Sequence, residues 1–222
     1  MSSATARPPA DAGAAANVSA AGAAAPPRRE RPAAVEFLGR FLRNPRAVGA
    51  VWPSGPHLAA AMLDSVDWDR AGCVLEFGPG TGPFTRRVPG RLRPGGRFLA
   101  VERDPAFAAR LMRELPHVDV ACADISAVQD ELAARNLPPA DAILCGLPWA
   151  AFPPGLQQTL MAATVAALAP GGTFATFAYV QGTVLPAGRR LRALLEDHFS
   201  AVATSPVVWR NAPPALVYRC EK

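Results

Sequence analysis

The chain has 222 residues, enough for one domain and a tail, and half of them are apolar, so a sizeable core can form. It carries 23 Lys and Arg against 18 Asp and Glu, a net charge of +5, a mild excess that suits an anionic surface without demanding one. No apolar run reaches the length of a membrane span and no continuous apolar stretch follows the start, so neither a spanning segment nor a secretory signal is expected.

Residues 1–31 are almost all Ala, Pro, Gly, Ser and Arg. Such a stretch buries too little surface to offset its ordering entropy and is expected to be a disordered arm. From Pro32 to Arg46 the pattern becomes helical. At 100° per residue, Val35, Phe37, Leu38, Phe41 and Leu42 share one side, while Glu36, Gly39, Arg40 and Arg43 share the other. The face suits packing on a core, or an interfacial helix that lays Phe and Leu into a bilayer. A Pro-rich turn, Trp52-Pro53-Ser54-Gly55-Pro56, leads into an apolar helix through Leu63, with Ser54 or a neighbouring backbone group at its start. Residues 32–68 thus form an N-terminal helical segment, and 69–222 the main domain.

Strand and helix signals alternate from Cys73 onward. Strands are expected at 73–77, 97–102, 118–123, 142–145 and 173–180. The helices between them start at about Pro83, at Pro105 behind the N-cap Asp104, at Ser126 with Gln129 completing a capping box, and at about Gly155. Pro89 and Gly90 should end the first of these early. Pro170-Gly171-Gly172 turns the chain into the fifth strand, and a helix over 187–197 precedes two last strands, 201–209 and 215–220. The alternation argues for an α/β fold, a mainly parallel sheet covered on both faces. The short link Asn211-Ala212-Pro213-Pro214 can join only antiparallel neighbours.

The chemistry concentrates at strand ends. Val74-Leu75-Glu76-Phe77-Gly78-Pro79-Gly80-Thr81-Gly82 is a buried strand followed by three glycines at every second position, suited to a tight turn and to a ligand touching the main chain. It is not the dinucleotide fingerprint, because Pro83 and Thr85 stand where that pattern needs its third glycine. About 20 residues on, Glu102 ends the second strand, where a carboxylate can accept two hydrogen bonds from a ribose diol. Arg103 follows it, and Asp124-Ile125 ends the third strand.

The E-x-G-x-G-x-G form resembles the first motif of class I S-adenosylmethionine-dependent methyltransferases. The resemblance implies a Rossmann-like sheet of seven strands, one of them antiparallel, with S-adenosylmethionine as methyl donor. It implies cofactor contacts from Glu76 to the methionine ammonium, from Gly78, Gly80 and Gly82, from Glu102 and Arg103, from Asp124 to the adenine amine, from Ile125 to the ring, and from Gly146. The segment Asp141-Ala142-Ile143-Leu144-Cys145-Gly146-Leu147-Pro148-Trp149 occupies the place of the fourth motif. Adenine-N6 methyltransferases carry a side-chain acceptor where Gly146 stands, and an aromatic ring stacks on the extruded base; Gly146 has no acceptor, although Trp149 could stack.

Across 35–221 the chain resembles the bacterial phospholipid N-methyltransferases that act on phosphatidylethanolamine. The matching pieces are Phe41-Leu42-Arg43-Asn44-Pro45, Gly49-Ala50-Val51-Trp52-Pro53-Ser54, the glycine motif with Thr85-Arg86, Val101-Glu102-Arg103-Asp104-Pro105, Gly146-Leu147-Pro148 and Val208-Trp209-Arg210-Asn211-Ala212-Pro213-Pro214-Ala215. Gly55 and Cys145 depart from serines expected at those places. The resemblance implies an enzyme at the cytoplasmic membrane surface, with anionic lipid and phospholipid substrate as its partners and no nucleic acid or stable protein partner. Tyr179, ending the fifth strand, is the candidate for orienting the amine. Trp52, Trp149, Tyr179 and Trp209 could offer aromatic faces to the methylated cation, Arg43 and Arg210 could fork onto the lipid phosphate, and Ser54 joins the substrate side. Cys73, Cys122, Cys145 and Cys220 have no C-x-x-C spacing and read as reduced thiols; His57, His117 and His198 are isolated, so no metal is expected. An rRNA adenine methyltransferase, a small-molecule N- or O-methyltransferase, and a binding module without turnover stay open as alternatives.

Overall fold

The computed structural model describes residues 55–222. The expected arm, the helix of 32–46 and the candidate residues Arg43, Trp52 and Ser54 lie outside the described residues. The elements are α1 (Pro56–Leu63), β1 (Cys73–Phe77), β2 (Arg97–Glu102), α2 (Pro105–Glu114), β3 (Asp119–Cys122), α3 (Val128–Ala134), β4 (Ala140–Cys145), α4 (Pro154–Ala167), β5 (Leu168–Tyr179), α5 (Val180–Thr183), α6 (Pro186–His198), β6 (Ala201–Thr204) and β7 (Ala215–Glu221). Single 3-10 turns at Ile125–Ala127 and Trp149–Ala151 precede α3 and α4.

The seven strands run in the order β3-β2-β1-β4-β5-β7-β6. All neighbours are parallel except β7, which runs against both β5 and β6. The expected Rossmann-like sheet with one antiparallel strand is therefore observed. Chain order reverses between β1 and β4, which is where ligands sit in open α/β sheets. The registers place Phe77 beside Val101 and Cys145, and Glu102 beside Cys122. The carboxyl ends of four strands are thus nearly level, and their loops meet.

Alternation along the central strands builds two cores. Leu75, Phe77, Ile143 and Cys145 pack with Leu160, Met161, Leu191 and Leu195 of α4 and α6. Val74, Ala142, Leu144 and Ala175 face the other way, onto Leu58, Met62 and Leu63 of α1 and onto Phe84 and Val88. Every residue of β1 is buried, as expected for a strand covered on both faces. Asp104 caps α2 as its sequence predicts, accepting from the N–H groups of Ala106 at 2.8 Å and Phe107 at 3.3 Å.

Four local expectations are corrected. No regular helix forms after Pro83. Residues 80–92 make a chain of turns, with separate four-residue bonds Arg86 to Gly82, Val88 to Phe84 and Leu92 to Val88. Pro89 has no N–H to continue the ladder. Ser126 does not cap a helix; its hydroxyl and N–H both donate to Asp124, which caps the 3-10 turn before α3. The fifth strand begins five residues early, at Leu168, because Ala140 pairs with Leu168 and Lys222 exchanges backbone bonds with Gly171 and Gly172. The sixth strand stops at Thr204, and the chain touches β7 again only at the bridge from Val208 to Ala215.

Asn211 ties this last loop to the start of α1. It is buried, its Oδ1 accepts from the N–H of Gly55 at 3.0 Å, and its Nδ2 donates to the carbonyl of Pro213 at 2.8 Å. Asn211→Ala leaves two half-buried backbone groups without their partner and is expected to lower stability by about 1 kcal/mol in denaturant unfolding. The alternation also drives Glu76 inward, onto the Val74 face, where it is fully buried against Thr85 and neither oxygen makes a hydrogen bond of good geometry. Burial raises its carboxyl from 4.5 to about 8, opposed by Thr85 and reinforced by Glu102. In the unliganded protein the native state keeps a proton that the unfolded chain gives up, so this group's contribution to stability falls as pH rises from about 4.5 towards about 8. Glu76→Gln is expected to remove up to about 1.4 kcal/mol per pH unit of that decline, measured by unfolding across a pH series.

Candidate cofactor and acceptor site

The loop after β1 takes the shape its glycines allow. Gly78, Gly80 and Gly82 have φ of +65°, +56° and +79°, values that side chains rarely adopt. The N–H of Gly78 donates to Val101 at 3.0 Å, and that of Gly82 turns back to Pro79 at 2.9 Å. The N–H of Gly80 donates to Glu102 Oε2 at 2.9 Å. A Cβ on Gly80 would meet nothing within 4 Å, so the main chain there is open to a ligand.

Glu102 is 1 % exposed, and its second oxygen accepts from the N–H of Asp104 at 2.8 Å. Burial raises its pKa, while the two backbone donors oppose the shift. Each oxygen keeps a further lone pair, so the bonds to the loops leave acceptor capacity for a diol. Asp124 Oδ1 accepts from the N–H of Ser126 at 3.0 Å and its hydroxyl at 2.8 Å, and Oδ2 lies 3.3 Å from Arg103 Nε. Glu76 stands behind the glycine loop as a buried carboxyl that faces buried Thr85 without a hydrogen bond of good geometry.

Gly78, Glu102, Arg103, Asp124 and Ile125 line one cleft at the carboxyl ends of β1, β2 and β3, and Leu147, Leu156 and Leu160 close its far wall. Acids at one side and apolar side chains at the other fit a nucleoside, with polar sugar and amine edges and a flat apolar ring. The cleft is narrow, about 20 Å³, because Leu147 leans over Gly78. Five of the sequence-predicted cofactor residues come together here, Gly80 and Gly82 complete the loop beside them, and Glu76 sits beneath it.

A second cavity of about 170 Å³, bordered by Gly146, shares Leu147 with the cleft. Its walls are Pro148, Ala150 and Ala151 after β4, Phe177, Ala178 and Tyr179 at the end of β5, and Gly182, Gly188 and Leu191 from α5 and α6. None of them is charged. The Tyr179 hydroxyl is buried without a partner among the described residues, its ring set edge-on to Phe177 at 5.7 Å, and desolvation raises its pKa. Gly146 donates its N–H to Phe77 at 2.9 Å, and a Cβ on it would lie 2.9 Å from the carbonyl oxygen of Gly78.

The substrate-side tryptophans are corrected. Trp149 borders the cavity, but its ring is a core group: it is 1 % exposed, packs edge-on against Phe152 and Phe174, and its Nε1 donates to Cys145 Sγ at 3.2 Å. It offers no free face for stacking. Trp209 and Arg210 are exposed and do not line the cavity. The sequence reading missed Leu147, Leu156 and Leu160 of the cleft and Gly182, Gly188 and Leu191 of the cavity. Gly188 carried a signal, a glycine inside a helical pattern, which marks close backbone approach; a Cβ there would lie 2.2 Å from the carbonyl oxygen of Gly182. All four cysteines are free, with Cys122 exposed and the other three buried.

No family profile matches the chain. It is 35 % identical over 189 residues to an ornithine lipid N-methyltransferase of Singulisphaera acidiphila, a match that covers 83 % of this chain and 93 % of that protein. A shorter match, 38 % identical over 78 residues, links it to a probable ribosomal RNA small subunit methyltransferase A of Haloarcula marismortui, and spans 35 % of this chain and 26 % of that protein. Among solved structures, the fold resembles the 1,6-didemethyltoxoflavin-N1-methyltransferase of Burkholderia thailandensis bound to S-adenosylhomocysteine (TM-score 0.57, 18 % identity, 85 % of this chain and 86 % of that one). It also resembles an O-methyltransferase of Bacillus cereus in complex with the same compound (TM-score 0.56, 15 % identity, 84 % and 91 %). With the glycine loop, the acidic strand ends and the reversal point of the sheet in place, and a relative of this identity matched over nearly its whole length, the chain belongs to the family of the ornithine lipid N-methyltransferase and is an S-adenosylmethionine-dependent methyltransferase.

Proposed function

We propose that this protein methylates the primary amine of a membrane aminolipid head group. The acceptor is phosphatidylethanolamine, as the sequence motifs suggest, or an ornithine lipid, as its relative's name suggests. Both present an amine on an amphiphile whose head group also carries an anionic group. The reading is carried by the uncharged, apolar cavity that shares Leu147 with the cleft. About 170 Å³ admits a small head group and leaves acyl chains outside.

The proposed cofactor contacts follow the cleft. Glu102 holds the ribose hydroxyls, Asp124 the adenine amine, Ile125 and Leu147 the ring, and the Gly78–Gly82 main chain the methionine end, with Glu76 as the nearby counter-charge and Arg103 bracing Asp124. When bound, S-adenosylmethionine supplies an electrophilic methyl carbon on a sulfonium. The residues of this chain then align and desolvate the acceptor, which is most of what such a displacement requires. The amine must arrive neutral. Its lone pair forms the new N–C bond as the S–C bond breaks, and the extra proton on nitrogen leaves to water before another methyl is added. The Tyr179 hydroxyl orients the amine by a hydrogen bond. Apolar walls favour the neutral form of the amine, because an uncompensated charge is costly there.

The RNA alternative is weakened at Gly146. Base amines need an acceptor at that point, and the 2.9 Å approach to Gly78 leaves no room for a side chain. Liposomes containing phosphatidylethanolamine or ornithine lipid, incubated with labelled cofactor and resolved by chromatography, are expected to give labelled lipid and to count the methyl groups. Folded, cofactor-bound protein that labels neither lipid rejects the proposal. Tyr179→Phe is expected to lower kcat about tenfold, the value of one lost hydrogen bond, with cofactor affinity by calorimetry unchanged.

A further inference from the structure

Four large apolar side chains are exposed among the described residues: Met112, Val184, Leu185 and Trp209. Met112 lies on α2. The other three stand on two loops that leave the sheet at one rung. Tyr179 pairs with Ala215, and beyond that pair the chain runs into α5 on one side and back from the bridge of Val208 to Ala215 on the other. Val180 donates to the carbonyl of Pro214 at 2.9 Å, so the two loops are joined at their base. Val184 is 64 % exposed, Leu185 55 % and Trp209 73 %. The Trp209 loop is held firmly, by the N–H of Val208 on Ala215 at 2.7 Å and by buried Asn211. Gly182 and Gly188, on either side of Val184 and Leu185, line the acceptor cavity.

Charge at this end has one sign. Residues 180–195 and 205–220 contain no Asp or Glu. Arg189 and Arg190 are exposed in the first turns of α6, beside Leu185, and Arg210 is exposed beside Trp209. Apolar tips ringed by arginines, with a tryptophan among them, match the chemistry of an anionic lipid surface: apolar groups enter the acyl boundary, indole sits at head-group depth, and guanidinium groups meet phosphate. A soluble protein partner would be expected to meet such a patch with carboxylates and would leave the protein indifferent to anionic vesicles, which overturns the membrane reading.

We propose that Val184, Leu185 and Trp209, with Arg189, Arg190 and Arg210, form the surface on which the enzyme docks to an anionic bilayer, with the mouth of the acceptor cavity turned to the lipid. The purpose of this surface rests on the aminolipid reading, but its existence is tested apart from it. It also gives Trp209 and Arg210 a role at the membrane in place of one inside the pocket.

The test is sedimentation of the full chain with vesicles of phosphatidylethanolamine and phosphatidylglycerol, against vesicles of phosphatidylcholine alone. The wild type is expected to bind the anionic vesicles and to release as salt rises. The double variant Val184→Ser, Leu185→Ser is expected to bind about tenfold more weakly, from the apolar area withheld from the bilayer. Leu185 is the N-cap of α6 and makes no side-chain cap bond, so serine there favours the helix and the fold is kept. The same variant is expected to methylate a monomeric short-chain phosphatidylethanolamine at the wild-type rate while losing activity on vesicles. Trp209→Ser is expected to weaken vesicle binding as well, and Arg189→Gln with Arg190→Gln to flatten the salt dependence. Variants that sediment with anionic vesicles like the wild type overturn the proposal, as does a wild type that ignores those vesicles. A wild type that docks through these residues yet methylates no lipid supports the surface and overturns the substrate reading.

Discussion

The site depends on the carboxylate of Glu102. One oxygen accepts from Gly80 in the loop after β1, and the other from Asp104 at the head of α2. The side chain ends β2 and is almost wholly buried. It therefore pins two loops to the carboxyl edge of the sheet before any ligand arrives. A neutral side chain could not accept both bonds with charge-assisted strength. The positive φ of the glycines costs less when a buried anion holds the turn in place. Burial raises the pKa of Glu102, and the two backbone donors work against that rise.

Much of the architecture was legible because it is local. The complete burial of β1, and of β4 apart from Asp141, follows from their apolar runs, and the Asp104-Pro105 start of α2 from cap chemistry. The antiparallel β7 follows from a link too short for a crossover. What failed was decided at longer range. Pro83 to Val88 looked helical, but the bonds there break up between two prolines and the main chain settles into turns. Pro170-Gly171-Gly172 looked like a plain turn until its pairing with Lys222 drew it into β5.

The candidate site divides in the same way. Glu102, Asp124 and Ile125 sit at strand ends, and parallel pairing brings strand ends together whatever lies between them. The acceptor cavity is different. Its walls come from β4, β5, α5 and α6, and no spacing in the sequence announces that Gly182 and Gly188 nearly touch. Trp149 misled because an aromatic residue after Gly-Leu-Pro looks like a ligand platform. Its indole is instead satisfied four residues back by Cys145 and enclosed by Phe152 and Phe174. Trp209, offered as one of several possible aromatic faces, is instead exposed and lines neither the cleft nor the cavity.

The close passage of Gly146 over Gly78 couples two properties that are often adjusted separately. The N–H of Gly146 is bonded to Phe77, and its Cα faces the Gly78 carbonyl with no space for a methyl group. Position 146 is thus wedged against the loop proposed to cradle the donor. Any residue larger than glycine would have to displace that loop. A substitution at position 146 would therefore act on the glycine loop and on the neighbouring cavity at once.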